Sequence, residues 1–338
     1  MIILSDCLTV TVDEGCIKVA NSLTKCIKHT YPDTTIISCG KNTDQSDLHF
    51  DLNKLFLNSS LIRELRKRRE PLLYIPFSSN TLASIFRACI LSMANPEKVT
   101  ILFALRHPMN ALSMFLLRLS GVGVLALSQE SYAFYEAIVG ARVSRLKAGV
   151  DVQTFVPVDK TRKMELRRKY GFPTDKRIVL HVGHLNRGRN VISMCDLNSD
   201  NHGVLVLSSV TKSQRDPQVQ QALMRCTNVT ILDSYLPNIQ EIYQLADVYL
   251  FPVQEEGACI DIPLSVMEAA ACGTPIVCTA YGELKEFIGK PGFYFPGTWD
   301  AAELNGYIQT AVTEACNPRA AILEYDWTLA TNILMRGE

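Results

Sequence analysis

Short aliphatic and β-branched runs alternate with segments of helical period along the whole chain, the pattern of βαβ units and a parallel sheet. In the first half "MIIL", "TTIIS", "LLYIPF", "VTILFAL" and "VGVLALS" read as strands, with helices over Ile17 to His29, Ser60 to Arg69, Leu82 to Met93 and Met109 to Leu119. The second half starts the pattern again with "RIVLHVG", then "GVLVLSS", "VTILDS", "VYLFPV", "PIVCT" and "GFYF". Between the halves, Val158 to Lys176 is charged and turn-rich, with no strand-length apolar run, and reads as a linker. The expected fold class is therefore α/β, with two Rossmann-like doubly wound domains facing across a cleft. Residues 1–158 form the first domain, 159–320 the second, and 321–338 a closing segment. In such sheets ligands sit beyond the carboxyl ends of the strands, so the loops there carry the chemistry.

Charge and cysteine content narrow the class. At 338 residues, 34 basic against 34 acidic, the chain has no global field for nucleic acid. Its 11 cysteines include no C-x-x-C pair and lie in apolar segments, which fits buried thiols in a reducing, cytoplasmic compartment. Arg87, Arg106 and Arg118 break the longest apolar stretches, and "MIILSD" is too short to be a signal peptide. The basic run Ile62 to Glu70 is either a solvated helix face or a patch for peripheral contact with an anionic membrane.

Two loops stand out. In "RIVLHVGHLNRGRN" a buried strand runs into Gly183 and His184, and Arg187 and Arg189 flank Gly188. Glycines admit an anion to the backbone and guanidinium groups match phosphate oxygens, so this reads as a diphosphate site or as a solvated turn. "IPLSVMEAAACGTPIVCTA" reads as a short helix, with Asp261 as cap, Pro263 in its first turn and Gly273 at its end. Its N-terminus favours an anion. Leu264, Met267 and Ala271 make one apolar face with Glu268 beside it. That carboxylate either pairs with a neighbour or accepts hydrogen bonds from ribose hydroxyls.

Taken together, "KAGVDVQTFVP", "HVGHLNRGRN", "VTILDSYLPNIQEIYQLADVYLFPV" and "IPLSVMEAAACGTPIVCTAYGELKEFI" resemble the successive motifs of the GT-B fold glycosyltransferases of family 4 (glycosyl transferases group 1). "YDWTLATNIL" resembles the family's closing segment, which crosses back toward the first domain, whereas residues 1–120 resemble the family mainly in pattern. The resemblance implies transfer of a sugar from a nucleoside diphosphate sugar, UDP- or GDP-linked, to an acceptor hydroxyl. It further implies retention of configuration, no metal and no permanently bound cofactor. Glu268 matches the ribose-holding last glutamate of the family's E-x7-E motif, and Leu264 and Ser265 match positions whose amides contact the diphosphate. Arg187 matches the family's lysine before glycine, while His184 stands where an arginine is usual. Tyr235, Leu236 and Pro237 match the loop beside the base, and His107 matches the histidine that reaches toward the transferred sugar.

Ile260 departs from the pattern, for the family has its first glutamate there; Asp261, Glu255 or Glu256 are the carboxylates near enough in sequence to replace it. Only Gly15 remains of the family's glycine-rich first loop, and Lys212 is a further candidate cation. Two functions stay open: a transferase acting on a glycan, lipid-linked or small-molecule acceptor, and an inactive subunit of the same fold that binds a nucleotide or a partner. An epimerase on this fold would need an acidic cluster for base catalysis, and the sequence shows none placed for it.

Overall fold

Parallel strands are covered on both faces, so their residues must be apolar throughout. Ile2–Ser5 (β1), Thr35–Ser38 (β2), Leu72–Ile75 (β4) and Gly123–Ala126 (β6) are wholly buried and come near that condition, with Ser5, Thr35 and Ser38 at strand ends as the polar exceptions. With Leu48–His49 (β3), Val99–Phe103 (β5) and Val143–Arg145 (β7) they form a seven-stranded parallel sheet in the order β3-β2-β1-β4-β5-β6-β7. The helices are α1 (Gly15–Thr30), α2 (Ser59–Arg68), α3 (Leu82–Ala94), α4 (Ala111–Leu119) and α5 (Gln129–Val139). Asn58, Thr81, Asn110 and Ser128 cap the last four through their side chains, as the sequence chemistry of N-caps requires. This is a computed structural model, and it describes every residue except 9–13, 41–44, 52–57, 208–214, 337 and 338.

The chain resolves into two compact units, Met1–Ala148 with Ile260–Ile262 and Trp327 onward, and Gly149–Cys259 with Pro263–Asp326. The second unit has a six-stranded parallel sheet in the order β10-β9-β8-β11-β12-β13. Its strands are β8 (Arg177–Gly183), β9 (Asn201–Leu207), β10 (Val229–Leu232), β11 (Val248–Phe251), β12 (Ile276–Cys278) and β13 (Phe293–Tyr294). Its helices are α6 (Lys160–Tyr170), α7 (Pro217–Met224), α8 (Ile239–Leu245), α9 (Leu264–Ala271) and α10 (Ala301–Glu314). In each sheet the strand order reverses next to the first strand, β1 against β4 and β8 against β11, so the loops after those strands flank the switch points where such folds hold ligands. The last helix, α11 (Trp327–Arg336), packs on α1 of the first unit, with Tyr31 donating its hydroxyl proton to Asn332 at 3.1 Å.

Three expectations need correction. The boundary falls after Ala148, ten residues before Val158: the N–H groups of Gly149 and Val150 both donate to Tyr325 O, at 2.9 and 3.2 Å, and Arg319 grips the carbonyls of Phe155 and Val152. The expected linker contains a helix, α6, which buries little apolar surface. It is held by charge, since Arg167 ion-pairs with Asp247 and donates to Leu245 O at 3.0 Å, while Lys163 lies 3.3 Å from Asp247. The cysteines are not all thiols, because Cys195 and Cys226 form a disulfide between the turn Val191–Asp196 and the end of α7. The other nine are free, and burial pushes Cys39 and Cys272 up to about 12, which keeps those thiols protonated and inert.

Candidate functional site

In the second unit, β8 delivers His181 and Gly183 to the carboxyl edge of the sheet. His181 is fully buried and its Nδ1 faces Leu250 O at 2.8 Å, which fixes the proton on Nδ1 and leaves Nε2 as a bare acceptor with no partner. Burial, reinforced by the nearby charge of Arg189, holds the imidazole down to about 3, so it stays neutral. Gly183 leaves room for both side chains. A Cβ there would lie 2.9 Å from His181 Nε2 and 3.0 Å from Arg189 Nη1.

Arg189 is buried, its Nε has no hydrogen-bond partner, and among the described residues no carboxylate pairs with it. A buried cation without a counter-charge is costly, and an anionic ligand would relieve it. Arg187 is placed differently. Its guanidinium is largely exposed and is held by Asp216 at 3.0 Å and by Gln218. The residue between them, Gly188, accepts from the N–H groups of Gln254 and Glu255 at 3.1 and 3.3 Å, and a side chain there would strike Glu255 and Ala258.

Helix α9 starts at Leu264 with Pro263 as N-cap and no side-chain cap, contrary to the expected Asp261 cap. Its first amides are therefore left for another partner. Ser265 reaches the hydroxyl of Tyr249, which also accepts from Val182 N at 3.2 Å, so the helix start and the end of β8 are tied to one strand residue. Gly273, at φ +75°, ends the helix as the sequence indicates. Glu268 is buried and accepts from Tyr243 Oη at 2.7 Å, while Tyr235 stands exposed in the loop after β10. Arg189, Gly183, His184, Leu264, Ser265, Glu268 and Tyr235 thus all belong to this unit. Lys212 lies outside the described residues.

In the first unit the loops after β4 and β5 clamp each other. Asn80 donates to His107 O at 2.8 Å and accepts from His107 N at 2.8 Å, and Ser79 bridges to Leu105. Ser79 holds φ +46°, a left-handed conformation that a non-glycine residue keeps only where its surroundings impose it. His107 is therefore fixed in its backbone. Asp261 joins this unit too: its N–H donates to Ala104 O at 3.0 Å, and its carboxylate accepts from Ser131 and from Ser128 at 3.3 Å. Burial pushes that carboxyl above the usual range against the pull of Ser131 and Arg106. The carboxylate expected to stand in for the motif glutamate is engaged by two serines at the start of α5. Ile260 is buried against Gly15, where a Cβ would meet its Cδ1 at 3.0 Å.

The sequence reading missed Asp6, Tyr249 and Arg319. Asp6 follows β1, accepts from Phe77 N at 2.6 Å and pairs with Arg87 at 2.8 Å, and so anchors the Phe77 loop. Its signal, a lone carboxylate directly after an apolar strand, was there to be read. Among the described residues no group of His, Cys, Asp or Glu is placed to hold a metal ion.

Two Rossmann-like units, the second with both an uncapped helix start and a buried arginine, define the GT-B class of fold. Residues 176–313, within this second unit, match the family described as glycosyl transferases group 1. TuaC, a Bacillus subtilis (strain 168) protein named for teichuronic acid biosynthesis, is 26% identical over 172 residues, 49% of this chain and 41% of TuaC. D-inositol 3-phosphate glycosyltransferase of Mycobacteroides abscessus is 27% identical over 152 residues, 43% of this chain and 33% of that one. The chain thus spans less than half the length of these curated relatives. The crystal structure of Anabaena Alr3699/HepE with UDP and glucose superposes with a TM-score of 0.78 at 14% identity, covering 99% of this chain and 98% of that one. A Rickettsia africae glycosyltransferase gives 0.79 at 15%, covering 99% and 96%.

Proposed function

We propose that the protein is a glycosyltransferase that moves a sugar from a nucleoside diphosphate donor to an acceptor hydroxyl with retention of configuration. The observation that carries this reading is Arg189, a buried cation with no carboxylate partner among the described residues, in the same unit as the uncapped amides of Leu264 and Ser265. A leaving diphosphate would complete both. Arg189 takes the part of the arginine missing at 184, and Arg187 shapes the loop. Glu268 holds the ribose, with Tyr243 orienting its carboxylate, and Tyr235 stands beside the base. UDP is the favoured diphosphate, because Anabaena Alr3699/HepE is described in complex with UDP and with UDP-glucose. His107 is the group that reaches the transferred sugar, and Asp261 is a positioning residue that holds the loop carrying it. The acceptor is a glycan, a lipid-linked sugar or a small molecule. No helix among the described residues is long and apolar enough to cross a membrane.

Incubating the purified chain with a panel of labelled UDP- and GDP-sugars tests the reading: release of UDP or GDP from one donor, lost in Arg189→Ala, supports it. Absence of turnover with tight nucleotide binding supports the second reading, an inactive subunit, which Ile260 favours because it fills the motif glutamate's place with an alkyl group packed on Gly15.

A further inference from the structure

The helices α2, α3 and α4 lie in a row on one face of the first sheet, since each connection moves in the same direction across the strand order and parallel crossovers share one hand. On α3, Leu82, Phe86 and Met93 are exposed at spacings of four and seven, and on α4 Leu112, Phe115 and Leu119 at spacings of three and four. Each helix therefore presents an apolar stripe outward, in addition to the one it buries against the sheet. The stripe on α3 runs about 17 Å, and Met93 is 76% exposed. Contiguous exposure of this kind marks an interaction surface.

What it meets is told by the charge beside it. Neither α3 nor α4 contains an acidic residue, and on α2 the only carboxylate, Glu64, is paired with Arg68 at 2.7 Å. Arg63, Arg66 and Lys67 point out from α2 exposed, and among the described residues no carboxylate pairs with them. The chain as a whole is neutral, so this is a local concentration of positive charge on the flank of an apolar face. A second copy meeting the same face would bring like charges together along the seam. We propose that the α2–α3–α4 face docks on an anionic lipid surface, with Phe86 and Phe115 entering the headgroup region and Arg63, Arg66 and Lys67 meeting the lipid charges.

Co-sedimentation of the full chain with vesicles of phosphatidylcholine, with and without phosphatidylglycerol, tests this. Wild type is expected on the anionic vesicles only. Phe86→Ser combined with Phe115→Ser, and separately Arg63→Ala, Arg66→Ala and Lys67→Ala combined, are each expected to weaken binding at least about tenfold. Because these side chains are exposed, both variants should keep the wild-type melting temperature and the same thermal shift with UDP, which separates this surface from the donor site. Failure of wild type to bind anionic vesicles overturns the proposal, as does undiminished binding by the Phe86→Ser, Phe115→Ser variant. A wild-type dimer that this variant dissolves, without change in vesicle binding, assigns the face to a second copy instead.

Discussion

The guanidinium of Arg189 stands against the bare Cα of Gly183, with Nη1 only 3.0 Å from where a Cβ would be. Gly183 thus gives a charged side chain room to lie buried at the edge of the sheet. Gly183→Ala should push Arg189 and His181 aside at a cost of about 1–3 kcal/mol. Arg189→Ala should weaken nucleoside diphosphate binding about 10- to 100-fold, the worth of a charged hydrogen bond, and leave the melting temperature equal or higher, because an uncompensated buried charge is removed. Arg187→Ala should change binding less than about threefold, since Asp216 and Gln218 already hold that side chain. Titration of UDP into the three variants ranks them, and a larger loss from Arg187 than from Arg189 contradicts the assignment.

The contact between Ile260 and Gly15 makes a second prediction. Gly15→Ala should destabilise the chain by about 1–2 kcal/mol, and shortening the partner with Ile260→Val should recover part of that. Ile260→Glu, which restores the family motif, should lose more than either, because it buries a carboxylate against the start of α1. Urea unfolding of wild type, Gly15→Ala, Ile260→Val and the double variant measures the coupling; strictly additive costs would show that the two residues do not touch.

Most strands were legible because buried parallel strands are near-continuous apolar runs, so stretches such as "VYLFPV" announce themselves. The two- and three-residue edge strands β3 and β7 gave too short a run to register. Helix α6 was hidden because its contacts are ionic, and the apolar pattern is silent about Arg167 and Asp247. Around α9, the end at Gly273 was readable from local punctuation, whereas the start was not, since Pro263 and not Asp261 stands at the N-cap. The commitment of Asp261 was not, because its serine partners lie 130 and 133 residues away in sequence. Nor does spacing reveal which of two arginines flanking one glycine turns inward.

Arg167 is almost fully buried, and its partner Asp247 also accepts from Ile178 N at 2.8 Å. Arg167→Ala should therefore cost about 2–3 kcal/mol, since it removes the donor to Leu245 O and leaves Lys163 as the remaining cation on Asp247. Unfolding in urea checks this, and a loss below about 1 kcal/mol would mean that α6 is held by its remaining contacts alone.

His181 makes the stability of the second unit depend on pH. Its folded value of about 3 lies below the ordinary 6.5, so its contribution is fully present above pH 6.5 and is lost as pH falls toward 3. Between pH 7 and 5 this one residue should remove about 2 kcal/mol. Denaturant melts of wild type and His181→Gln at both pH values should show a shallower dependence in the variant; identical slopes would mean that the ring is protonated in the folded chain.

In the proposed function the second unit holds a nucleoside diphosphate through Arg189, the start of α9 and Glu268. Calorimetric titration of UDP and GDP into wild type and Glu268→Gln tests it most directly, since glutamine still offers Tyr243 an acceptor. UDP should bind wild type, and Glu268→Gln should weaken it about 10-fold or more without lowering the melting temperature. Absence of binding by either nucleotide, or equal binding by the two proteins, would contradict it.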